Sequence, residues 1–115
     1  MTLLEFYNIL LETEIPVGHY ETELESFPYI IYQELSTTYN YGSGKPIAEK
    51  INLEVVHFTK KEFCPSLEKL KNVLHKHKIG FSIATAYDHE AKNIINQFEI
   101  AIKRDLEVIP HEQKQ

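Results

Sequence analysis

Six histidines and one cysteine are the side chains of this 115-residue chain best suited to hold a metal or attack a substrate. Their spacing decides what they can do. His75 and His77 lie two apart on a predicted helix, about 200° around its axis at ~100° per residue, so they cannot grip one ion together. His57 falls on a predicted strand and shares a face with Val55, while His19, His89 and His111 fall in connectors or the tail. No HxxxH, HExxH or Cys/His pair with ligand spacing occurs. Cys64 precedes Pro65 at a predicted helix start, where the helix field lowers a thiol's pKa, but nucleophilic catalysis needs a base that the spacing does not supply. Glu21, Glu23 and Glu25, with Glu34, form an acidic group without the dense carboxylate loop of a calcium site, so solvated acids are the simpler reading. Gly42 and Gly44 lead through Lys45 and Pro46 into a strand, not a helix, which removes the phosphate-cradling geometry. The expectation is a protein with no catalytic residues, no metal and no cofactor.

Composition points the same way. The chain has 12 Lys+Arg against 17 Asp+Glu for a net charge of −5, and Arg104 is the only arginine. A reader of nucleic-acid sequence leans on arginine forks and a positive field, so no specific nucleic-acid binding is expected. The 43% hydrophobic and 25% charged content is that of a globular domain. The length allows one such domain, read here as residues 1–106 followed by a frayed tail over 107–115. A single cysteine excludes an internal disulfide and makes a reducing compartment the default. The opening stretch lacks a basic start and a small-residue cleavage site, so no export signal is read there. The longest apolar run, Tyr29 to Tyr32, is far below the roughly 20 residues that span a bilayer.

The elements follow from apolar periodicity. Leu3, Phe6, Tyr7, Leu10 and Leu11 make one helical stripe, with Thr2 and Glu5 spaced as a capping box and Pro16 enforcing a stop near Glu14. A connector then runs to Pro28. Tyr29 to Leu35 reads as a strand, Ser36 to Pro46 as a mobile, Tyr- and Gly-rich loop, and Ile47 to Lys60 as a long strand. Pro65 opens a second helix whose stripe is Leu67, Leu70, Val73, Leu74 and His77, with Gly80 as its left-handed stop. Phe81 to Tyr87 and Ile94 to Lys103 read as a final hairpin.

The expected fold is therefore α+β, in the order α-β-β-α-β-β: a four-stranded antiparallel sheet with both helices packed on one face. The other face stays open. Ile30, Tyr32, Val56, Phe58 and Ile95 are expected on it, unusually apolar for a solvated surface, and Tyr39 and Tyr41 stand in the loop as contact residues of large area and low entropic cost. These seven residues are the candidate assembly interface.

The element order, with the segments IPVGHY, FPYIIYQE, KINLEVVHFT, PSLEKLKNVLHKH and FEIAIKR, resembles the small neck proteins of long-tailed double-stranded DNA bacteriophages. In particular it is similar to the tail terminator or head-tail joining proteins of phages and prophages of Gram-positive bacteria. The likeness runs from about Leu3 to Arg104 and is one of pattern and length. The acidic connector from Glu21 to Phe27 and the Tyr- and Gly-rich loop depart from it. The resemblance implies a non-enzymatic structural protein that forms a ring homo-oligomer, commonly a hexamer, at the head-proximal end of the tail tube. Its partners would be its own copies, the tail tube protein and the head connector, and its place the virion neck after assembly in the host cytoplasm. A net acidic, arginine-poor ring would also repel DNA passing its bore. Two other classes remain open at this point: a monomeric inhibitor-like module binding through the open face, and a small metal-dependent enzyme.

Overall fold

Two paired strands of unusual length dominate the computed structural model, which describes residues 1–21 and 26–106. The elements in order are α1 (Leu3–Leu11), β1 (Val17–His19), β2 (Tyr29–Gly42), β3 (Lys45–Thr59), α2 (Pro65–Lys76), β4 (Phe81–Asp88) and β5 (Asn93–Asp105). They build one five-stranded sheet in the order β1-β2-β3-β5-β4. β1 runs parallel to β2, and the other neighbours are antiparallel. The four-stranded, wholly antiparallel sheet expected from periodicity is thus corrected to a mixed sheet of five. The missing strand, β1, is only three residues long and ends in Gly18 and His19, too short to show any alternation.

The helices form where their caps and stripes dictate. Thr2 accepts from the Glu5 amide and Glu5 accepts from the Thr2 amide, closing a capping box on α1. Phe6, Ile9 and Leu10 of α1 and Leu70, Val73 and Leu74 of α2 bury against Ile30 and Tyr32 of β2, Ile51, Leu53 and Val55 of β3, and Phe98, Ile100 and Ile102 of β5. In α2 the left-handed residue after the helix is Lys78 (φ 58°), not Gly80, and the Ile79 amide bonds back to the Leu74 carbonyl at 2.9 Å.

The segment read as a mobile loop, Ser36 to Pro46, is instead the far half of a continuous hairpin. Only Ser43 and Gly44 form its turn, both at positive φ (54° and 79°), as a two-residue type I′ turn requires. A bulge between Glu34 and Ser36 absorbs Leu35, and a second sits between Asn40 and Tyr41. The hairpin carries the molecule to 58 × 25 × 23 Å. The proposed tail over 107–115, like Glu23 and Glu25, lies outside the described residues.

Candidate functional site

Register sorts the sheet residues onto two faces. Ile30 pairs with His57 and Tyr32 with Val55, and all four point toward the helices. Ile30 and Tyr32 are therefore core residues, 0% and 5% exposed, and not part of the open face where the sequence reading placed them. The physical reason is period two: Ile30 is opposite His57 rather than Val56 or Phe58, and an offset of one residue moves a side chain to the other face.

Val56, Phe58 and Ile95 do lie on the open face. Phe58 pairs with Tyr29 on one side and Ile95 on the other, and Val56 pairs with Ile31, so Tyr29 and Ile31 take the places assigned to Ile30 and Tyr32. The Tyr29 and Phe58 rings stack at 4.7 Å, Phe27 packs on Tyr29 at 5.2 Å, and the Lys60 ammonium sits 5.0 Å above the Phe27 ring. These side chains form an apolar band at one end of the face.

Successive rows across β2, β3 and β5 change character away from that band. Gln33, Glu54 and Glu99 form an acidic row, in which Gln33 donates to Glu54 at 3.1 Å. Next come Asn52 and Ala101, with Ser36 accepting from Asn52 at 2.9 Å. Leu35, 55% exposed, stands beside them at the rim of a shallow hollow of about 300 Å³ that also touches Ser82 and Glu99. Then comes a basic row, Thr38, Lys50 and Lys103, along a groove of about 440 Å³. The hairpin tip lies beyond, where Tyr41 pairs with Pro46 and is 67% exposed. Tyr39, and Tyr41 two residues on along the same strand, are on the helix-side face instead: the Tyr39 hydroxyl donates to Glu49 at 3.0 Å, and Glu49 also accepts from Arg104 at 2.8 Å. The Arg104 bond, helped by Tyr39, holds the Glu49 carboxyl below its ordinary pKa.

A second polar constellation lies under the N-terminus of α2. The Thr85 hydroxyl donates to Asn96 Oδ1 (2.9 Å), and Asn96 Nδ2 lies 3.2 Å from His57 Nδ1. With Nδ1 accepting, His57 Nε2–H donates to Ser66 Oγ at 2.7 Å, and Ser66 is 2.9 Å from Cys64 Sγ. Burial lowers the His57 pKa to about 4, so the ring is neutral near pH 7. Burial alone would push the Cys64 thiol up, but bonds from Ser66, Thr59 and the backbone outweigh it and hold the thiol below its ordinary value. With Ser66 donating to sulfur, the array supports the thiolate but offers no base to take its proton. Sequence spacing could not show it, because His57 and Asn96 meet only through the β3–β5 register. Of the other histidines, His19 pairs with Glu34 and stacks on Tyr32 at 4.4 Å, and His77 bonds Glu12 at 2.8 Å. Among the described residues no group of three or more His, Cys, Asp or Glu is placed to hold a metal, and no helix is long and apolar enough to cross a membrane.

No protein-family model and no curated protein matches the chain.

Proposed function

We propose that this chain is a structural protein of the phage neck, a tail terminator that assembles as a ring at the head-proximal end of the tail tube and joins tail to head without catalysing a reaction. The supporting observation is the pairing of two unlike patches on one subunit. The apolar band of Tyr29, Ile31, Val56, Phe58 and Ile95 lies at one end of the open face, and the hairpin tip, where Tyr41 is exposed on the helix-side face, projects from the other end of the sheet. A closed ring needs such a heterologous pair, a surface that receives and a different one that is donated. The tyrosine tip of one subunit seated on the band of the next satisfies both. The pattern likeness of the segments from IPVGHY to FEIAIKR to neck proteins supplies the context.

Deleting the reading frame in its source phage or prophage and imaging the induced lysate by negative-stain microscopy tests the role. Overlong, headless tails beside filled heads are expected. Normal-length tails detached from heads would make the protein a joining component, and intact virions would overturn the reading. Phe58→Asp places a charge in the band at a half-buried position. It should keep the native circular dichroism spectrum and fail to complement the deletion.

A further inference from the structure

The charged rows of the open face are arranged in a way that a solitary subunit does not favour. Glu54 stands directly across from Glu99, and Lys50 directly across from Lys103. Like charges facing one another across a ladder are destabilising, and among the described residues none of the four is in an ion pair. Between the two rows lies the short, uncharged row of Asn52 and Ala101. Asn52 is also the middle residue of β3, seven places from Lys45 and seven from Thr59.

We propose that the free protein pairs with a second copy of itself through this face, about a two-fold axis that lies across the strands at Asn52 and Ala101. Such an axis reverses strand direction while keeping each strand over its own counterpart. Glu54 then lies over the partner copy's lysine row on β3, and Glu99 over the same row on β5, each about two rows, or ~13 Å along the strand, from its own lysine. Both like-charged pairs are neutralised at once, four times per dimer. Leu35 lies close to the axis, so the two copies of this exposed leucine meet at the centre of the interface. The occupant is thus fixed by complementarity: the face matches its own reversed image in its charged rows and in the bare central row. This pairing does not depend on the neck reading. It covers the open face that carries the band, so the pair must open before the band can serve a ring.

Sedimentation equilibrium of the full chain at low salt measures the pairing. The wild-type protein should sediment at twice the 13.5 kDa chain mass. Glu54→Lys and Lys50→Glu should each weaken association at least about tenfold, because each puts like charges face to face. Mixed in equal amounts, these two variants should restore the pair, whereas Glu54→Lys mixed with Lys103→Glu should not, since the axis keeps β3 over β3. All these sites are exposed or half-buried, and unchanged circular dichroism verifies the fold. A wild-type monomer at hundreds of micromolar, a dimer insensitive to these reversals, or rescue by the wrong pair would each overturn the proposal. Rings formed without a charge-dependent dimer would overturn it and leave the neck reading standing. A charge-dependent dimer from a frame whose deletion leaves virions intact would do the reverse.

Discussion

His57 shows how a single side chain can tie helix to sheet. It is fully buried and bonded at both ring nitrogens, to Asn96 and to Ser66, so its neutral form bridges β5 and the first turn of α2. Its pKa is about 4 in the fold, against 6.5 for the free side chain. The unfolded chain therefore binds the extra proton first, and the contribution is complete above pH 6.5 and lost as pH falls toward 4. The difference corresponds to roughly 3 kcal/mol over that window. Urea titrations at pH 7 and pH 4.5 should show His57→Gln less stable at the higher pH but losing less on acidification than the wild type. Equal losses would show that another group carries the acid sensitivity. The sequence made His57 a companion of Val55 on one face, but neither Asn96 nor Ser66 was legible as its partner. Those contacts join residues 39 and 9 positions away.

At the scale of elements, the hairpin of β2 and β3 carries the lesson. Ser36 to Pro46 reads as loop because its glycines, serines, Asn40 and Pro46 are turn punctuation, although Thr37, Thr38, Tyr39 and Tyr41 are good strand formers. It is strand because β3 supplies a partner residue by residue, from Thr37 against Ile51 to Gly42 against Lys45. The turn itself rests on Gly44 at φ 79°. A Cβ there meets no neighbour within 4 Å, so the cost of substitution is one of backbone strain. Gly44→Val should destabilise by about 1–2 kcal/mol. Ser43→Asn, which suits the left-handed position beside it, should stabilise by a few tenths of a kcal/mol. Chemical denaturation midpoints measure both, and an unaffected Gly44→Val variant would show that the turn is not held in this form. Both helices owe their starts to local chemistry, the Thr2–Glu5 box and Pro65, and so were readable residue by residue. β1 was not, since a three-residue parallel strand exists only because β2 is there to receive it.

Over the whole molecule, length sets the geometry of assembly. The radius of gyration is 16.9 Å, where a compact chain of this size would have about 13 Å, and the excess comes from the projecting hairpin. Two copies packed face to face about the middle of β3 add thickness but little length. Small-angle scattering should therefore give a pair whose longest dimension stays close to the 58 Å of one subunit. An end-to-end pair would approach double that length and exclude the proposed axis. Tyr41→Ala, at an exposed tip on the helix-side face, should leave the unfolding free energy measured by urea titration within about 0.5 kcal/mol of wild type.

The amino-acid sequence by itself determined the helices, the alternation in the first half of β2 and along β3, β4 and β5, the acidic and arginine-poor charge, and the apolar character of Val56, Phe58 and Ile95. These are properties of local spacing and composition. Only the tertiary structure decided which alternating face meets the helices. That choice depends on strand register, and register put Ile30 and Tyr32 inside and Tyr29 and Ile31 outside. It likewise decided that Glu54 faces Glu99 and Lys50 faces Lys103, because cross-strand neighbours are set by pairing between segments about 45–53 residues apart and not by any spacing along the chain.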